Sequence, residues 1–234
     1  AARLAATRER AQGPTLAERR GSIAVFNVSG VLTPKAEFHD EVDTYRLTDE
    51  LTAAMNDDQV SAGVILVDSP GGYSAGMVEL AAAAAAFAAV KPLDAQVHGC
   101  CCSGAYWLAS QCRAIYCGPR DDIGSIGVRS GIIDWSECFK NMGLVAITIS
   151  TGPLKAIGQF GAPVTAEHRD FLQQRVDAIM VDFSAAVKRG RGLSDEQLAL
   201  VTTGGWWPGE TAIELKLADK VQSAPQTMAG VVSG

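Results

Sequence analysis

The chain predicts an α/β fold: a parallel sheet with helices on both faces and a helical C-terminal appendage. Three observations carry this reading. Residues 62–68 (AGVILVD) form an unbroken apolar run of strand length, the pattern of a strand covered on both faces. Strand-like and helix-like segments alternate through the first two thirds, which implies crossover connections and parallel pairing. The last third carries helical periodicity only, apart from a short LADKV strand.

Taken in order, residues 1–20 are rich in Ala and Arg around Gly13-Pro14 and read as a flexible N-terminal arm. One domain is expected over residues 21–223, followed by a C-terminal tail over 224–234. SIAVFNVSGVL (22–32) reads as a strand closing in a Gly turn. Apolar residues recur at helical spacing over 46–56, before the polar NDDQ turn. After Ser69-Pro70-Gly71-Gly72, a helix runs to about Val90 and is closed by Lys91-Pro92. LDAQVH (93–98) is a strand, 103–110 a helix, AIYC (114–117) a strand, and VAITI (145–149) a further strand. Helices are expected over 165–189, 194–201 and 208–217. The alanine run 81–86 is read as helix packing.

Composition narrows the functions. With 234 residues, 47% of them hydrophobic, the chain can bury a sizeable core. A formal net charge of −6 argues against a nucleic-acid partner, which favours a basic face. No apolar run approaches the ~18–20 residues that span a bilayer, and no secretory signal opens the chain. Membrane association is therefore not visible in this chain, and a cytoplasmic setting is expected, or a membrane-anchored one if an N-terminal segment was removed. The six cysteines include the adjacent Cys100, Cys101 and Cys102 and no CxxC pair, so they read as small buried residues of a reducing compartment. No metal or other cofactor is expected.

Ser103 is the focus of the chemistry. It lies in HGCCCSGAYWLA (98–109), at the end of an apolar strand and the start of a helix. A serine hydroxyl needs a base within hydrogen-bonding reach. Only His39, His98 and His168 are available. His98 belongs to the preceding strand, His39 to a polar stretch, and His168 to a helix segment expected to face solvent; none has an evident carboxylate orienter, which disfavours a Ser-His-Asp triad. Lysine can serve instead when burial disfavours its ammonium form. Lys155 sits in the apolar, Gly-rich segment GPLKAIG, where the bland alternative is a surface-loop lysine. Main-chain N–H groups of Gly72 and Gly104 could form an oxyanion hole, because glycine lets backbone approach a substrate carbonyl closely. Cys102 as the nucleophile stays open as a lesser alternative.

The succession VDSPGG, CCSGAYWLAS, DDIGSIGV, GPLKAIG, VKRGRGLS and GWWPGETAIELKLAD resembles the signal peptide peptidase A (protease IV) family of serine peptidases, which includes phage prohead maturation proteases. The match covers about residues 22–221. The resemblance implies a fold like the crotonases and the Clp protease proteolytic subunit. It implies Ser103 as nucleophile, Lys155 as general base, Ser125 as the hydroxyl orienting the lysine amine, and Gly72 and Gly104 as oxyanion-hole positions. It further implies extended or unfolded peptide substrates, either signal-peptide remnants or phage scaffold and capsid proteins, and a homo-oligomer whose active sites are shared between subunits. Departures are modest: the Cys run replaces small residues, Ala105 a second glycine, and Lys216 the usual glycine of Gly-Leu-Val-Asp. The competing readings are a catalytically inactive shell or scaffold subunit of the same fold, and a crotonase-like acyl-CoA enzyme.

Overall fold

A computed structural model describes residues 17–233. Eight strands form the main sheet. Strands β1 (Ala17–Arg20), β2 (Ile23–Ser29), β5 (Ala62–Ser69), β6 (Leu93–Cys102), β7 (Ala114–Cys117) and β10 (Lys220–Val221) lie side by side in that order. All neighbours are parallel except β1 with β2. Strand β8 (Asp122–Gly124) pairs with β6 and with β9 (Trp206–Pro208). A separate parallel pair joins β3 (Val31–Thr33) to β4 (Glu41–Asp43).

Both faces of the sheet are covered. On one, Phe26 meets Phe87 edge-on at 6.1 Å, and the missing side chain of Gly63 leaves room for Phe87 and Leu93. Phe87 belongs to α2 (Met77–Val90), which packs with α1 (Thr44–Met55). The acidic side chain of Asp43 caps α1 by accepting from Arg46 N–H at 2.9 Å. On the other face, Ile23, Val25, Ala62 and Val64 pack with Leu66 and Met228. Met228 lies on the helix Ala224–Ser233, so most of the segment expected as a tail is a docked helix. Its Thr227 hydroxyl donates to Gln96 Oε1 at 2.5 Å, and the Gln222 amide donates to Thr227 at 3.1 Å.

Residues 17–20, placed in the expected arm, instead pair with β2; the remainder of that arm lies outside the described residues. Cα packing divides the chain into two compact units, 1–126 with 184–234, and 127–183. The sequence pattern did not reveal that division. In the second unit, Trp135, Phe139 and Phe160 stack at ring distances of 5.7 and 4.9 Å. The Ser136 hydroxyl, together with Val164 N–H and Ser136 N–H donating at 2.9 Å each, holds the Asp134 carboxyl down at about 2. VAITI is not a strand: residues 144–150 have no regular secondary structure and join no ladder, and Val145, Ile147 and Ile149 are exposed. A β-branched run has the propensity for a strand, yet it needs a neighbouring strand to make one. Among the described residues, no helix is long and apolar enough to cross a membrane.

The remaining helices are α3 (Gly104–Ala109), α4 (Ser136–Asn141), α5 (Ala166–Arg191), α6 (Asp195–Val201), α7 (Gly209–Glu214) and α8, the helix Ala224–Ser233. Ser194 and Gln197 form a reciprocal capping box at the start of α6. Just beyond α7, Lys216 has φ +61°, in the left-handed region. Its carbonyl accepts from Arg191 Nε at 2.9 Å, and Arg191 also makes a two-point pair with Asp219 at 3.0 and 2.9 Å. The backbone there is pinned in a conformation costing an L-residue about 1–2 kcal/mol. Lys216→Gly should therefore raise stability by about 0.5–1 kcal/mol, part of the relief being offset by a freer unfolded chain. Thermal unfolding checks this: a melting temperature below the parent's would contradict it.

Candidate active site

Strand β6 is ten residues long and changes partner along one edge. Asp94–Gln96 pair with β7, and Cys100–Cys102 pair with β8. Between these stretches β6 bulges: two steps along β5, from Val67 to Ser69, match four along β6, from Val97 to Cys101. Two carboxylates hold the extra residues. Asp68 Oδ1 accepts from Cys100 N–H at 3.2 Å, and Asp121 Oδ1 accepts from Gly99 N–H at 3.1 Å. Gly99 has φ +108°, and a Cβ there would lie 2.6 Å from the Asp68 carboxylate. A bulge of this kind re-aims the strand beyond it.

That strand delivers Ser103 to the β6–α3 corner. Ser103 has φ 51° and ψ −123°, a conformation sparsely populated by non-glycine residues. The surroundings impose it: Ser103 N–H donates to Gly124 O at 2.8 Å, and Trp107 N–H donates to Ser103 O at 2.9 Å. A serine turned out at a strained strand-to-helix corner is a geometry that exposes a nucleophile. Ser125, next to that Gly124 acceptor, is also left-handed, with φ 51°, and its N–H donates to Gly205 O at 2.6 Å. The two serines are thus brought to adjacent positions on neighbouring segments, both half-buried.

The Pro-Gly-Gly turn closes on the same corner. Gly71 has φ +96°, and a Cβ on it would lie 2.7 Å from Ser103 Cβ and 2.8 Å from Gly104 N. Ser69 holds the turn, donating to Gly30 O at 2.6 Å and accepting from Gly71 N–H at 3.2 Å. Leu32 N–H donates to Gly71 O and Tyr73 N–H donates to Leu32 O, both at 2.9 Å. Backbone groups alternate along an extended segment, so the Gly72 N–H turns away from Leu32. Gly104 is the first residue of α3, where N–H groups have no acceptor within the helix. Ser69, Asp68 and Asp121 were not singled out from sequence; a polar pair ending an otherwise apolar strand, Asp68-Ser69, was the available signal.

Lys155 belongs to the other compact unit, 127–183. It sits in a 3-10 turn, Pro153–Ala156, with its N–H donating to Gly152 O at 3.1 Å, and it is exposed. Of the histidines, His39 and His98 are exposed. His168 is not solvent-facing as expected: it is 5% exposed, because its ring is engaged by main-chain groups of the same unit.

Burial pushes the Cys102 thiol up to about 11, with Asp122 adding to the effect, and the Cys100 thiol up to about 12, with Cys102 and Asp68 adding. A thiol so placed is almost wholly protonated at neutral pH, which removes support from Cys102 as nucleophile. Among the described residues, no three His, Cys, Asp or Glu side chains are grouped to hold a metal ion.

The model of Peptidase family S49 matches residues 85–231. The chain belongs to that family. It is 30% identical over 208 residues to Protease 4 of Salmonella typhi, covering 88% of this chain and 34% of that protein. It is 29% identical over 203 residues to Capsid assembly protease C of Escherichia phage lambda, covering 85% of this chain and 46% of that one. The chain thus spans about a third to under a half of these relatives' length. Among solved structures, an enoyl-CoA hydratase/isomerase from Marinobacter aquaeolei superposes with a TM-score of 0.56, covering 93% of this chain and 73% of that one. At 11% identity the likeness concerns fold alone, and the fold is crotonase-like, as expected.

A Cβ at Gly72 would lie 1.9 Å from Leu32 O, whereas one at Gly104 would make ordinary contacts of 3.4 Å or more. Gly72→Ala should cost about 3 kcal/mol, and Gly104→Ala less than about 1 kcal/mol, in denaturant titrations. Equal losses would refute this account of the turn. The S49 thiols should also betray their burial. At pH 8 a thiol at about 11 is roughly one part in a thousand thiolate, so Cys102 should alkylate about 100-fold more slowly than an ordinary cysteine at 9.0. The folded chain keeps protons that the unfolded chain loses above 9.0, from Cys100, Cys101, Cys102, Cys112 and Cys117 alike. Stability present below pH 9 should therefore decline from there upward, read as a falling melting temperature.

Proposed function

We propose that this chain is the core of a serine endopeptidase in which Ser103 is the nucleophile and Lys155 the general base. The observation that carries the proposal is the constrained left-handed Ser103 pressed against the Gly71 turn, in a member of Peptidase family S49. The neutral Lys155 amine takes the Ser103 hydroxyl proton as Oγ attacks a peptide carbonyl. The oxyanion is received by Gly72 and Gly104 N–H groups, and Ser125 orients the amine. The lysine then hands its proton to the leaving amine, leaving an acyl-serine that water hydrolyses after deprotonation by the same base.

Substrates are extended or unfolded peptides, which can lie as an added strand beside a sheet edge. The names of the relatives favour two settings, clearance of signal-peptide remnants or processing of phage scaffold and capsid proteins. Sites shared between subunits of a homo-oligomer are part of the proposal. Lys155, exposed in the single chain, is available for such a contact.

Ser103→Ala and Lys155→Ala should each abolish hydrolysis while leaving the circular dichroism spectrum unchanged. Mixed and refolded together, they should recover up to about a quarter of wild-type sites if serine and lysine meet across a subunit boundary. Proven subunit exchange without recovery would reject shared sites, and turnover above about 1% in Ser103→Ala would reject the nucleophile. In the wild type, kcat/KM should rise from neutral toward alkaline pH, because the base acts without its proton. A flat or falling profile below pH 9, before stability declines, would reject Lys155.

A further inference from the structure

His168 lies outside the proposed dyad and is tied to the turn that carries Lys155. Its imidazole is in the first turn of α5, in the same compact unit as Lys155, and is almost wholly buried. Thr165 N–H donates to Nδ1 at 3.4 Å, and Nε2 lies 3.0 Å from Pro153 O. A nitrogen that accepts from a backbone N–H cannot itself carry a proton, so Nδ1 is the bare nitrogen and Nε2 carries the hydrogen. Nε2–H therefore donates to the Pro153 carbonyl. The Thr165 hydroxyl accepts from His168 N–H at 3.2 Å, which fixes the residue from its main chain as well.

Pro153 is the first residue of the 3-10 turn, two positions before Lys155. The rest of that turn is lightly braced. A Cβ added at Gly152 or at Gly158, on either side of it, would meet no atom within 4 Å. Leu154 faces an open groove of about 400 Å³, shared with Glu167, Asp170, Phe171 and Gln174 of α5, instead of a packed wall. Apolar packing thus contributes little to holding the turn against α5. A directional, part-buried hydrogen bond from the His168 ring ties the turn to the start of α5.

We infer that His168 is a positioning residue: through its Nε2–H bond to Pro153 O it sets the place of the Lys155 turn on α5. The inference rests on the proposed role of Lys155 as base. A base displaced by about 1 Å from the proton it takes can lose about 100-fold in rate, while substrate binding is unaffected. The ring's hydrogen bonds go to main-chain groups of Thr165 and Pro153.

The test compares kcat, KM and backbone hydrogen exchange in His168→Leu, His168→Gln and Lys155→Ala. His168→Leu should lose about 10- to 100-fold in kcat with KM within about twofold, and amides of residues 152–158 should exchange faster. His168→Gln, whose terminal amide can replace the Nε2 donor, should stay within about threefold of the parent in kcat. Unchanged kcat and exchange in His168→Leu would overturn the inference, as would equal losses in the Leu and Gln variants. Should His168→Leu fail to fold, His168→Asn takes its place: its amide is too short to reach Pro153 O, so activity equal to that of the Gln variant would be the overturning result. Lys155→Ala keeps the two ideas apart. If it remains active, the dyad fails, while faster exchange at 152–158 in His168→Leu would still report the tether.

Discussion

The bulge in β6 is the constraint on which the site depends. A regular strand of ten residues would keep one neighbour along each edge. Here the insertion between Val97 and Cys101 lets the strand leave β7 and take up β8. Without that exchange, Gly124 O would not meet Ser103 N–H, and Ser125 would not stand beside Ser103. The bulge needs acceptors for its displaced N–H groups, and Asp68 and Asp121 provide them. Hydrogen bonds to charged acceptors contribute about 1.5–3 kcal/mol each when sheltered, and less at the exposed Asp68. Both carboxylates come from segments distant in sequence, so the corner forms only after β5, β6 and the segment before β8 have assembled.

Strain at the corner is concentrated in a few residues and balanced by ordinary structure around them. Ser103 and Ser125 are both left-handed, and each is fixed by a main-chain hydrogen bond from its own N–H. The cost, on the order of 1–2 kcal/mol per residue, is met by the doubly covered sheet behind them. Glycines relieve the rest where space is short. At Gly71 the turn closes on the serine, and at Gly72 it closes on Leu32 O. The cysteines beside the corner fill volume: their thiols are held protonated by burial and supply no competing nucleophile at neutral pH.

Much of this was legible in the residues because it depends on local pattern. The apolar run 62–68 is β5, buried on both faces, and AIYC is β7 with the expected bounds. The helix after the Pro-Gly-Gly turn was legible from its alanine-rich run closed by Lys91-Pro92, and the helix after Ser194 from its cap. The corner serine was legible because apolar strand, serine, glycine and helix follow one another directly. VAITI was misread because strand propensity says nothing about whether a partner is present. His168 was misread as solvent-facing because its flanks are charged, while its ring bonds to the Pro153 carbonyl, fifteen residues away.

By itself, then, the sequence determined the alternation of strands and helices, the covered central strand, the glycine turn and the serine at its corner. Each of these follows from side-chain period or from residues within one turn of each other. Only the tertiary structure decided the partner exchange along β6, the left-handed pair Ser103 and Ser125, the docking of α8, the two compact units and the tether from His168 to the Lys155 turn. These depend on hydrogen bonds and packing between segments far apart in the chain, and no periodicity records which carbonyl or carboxylate a distant N–H will meet.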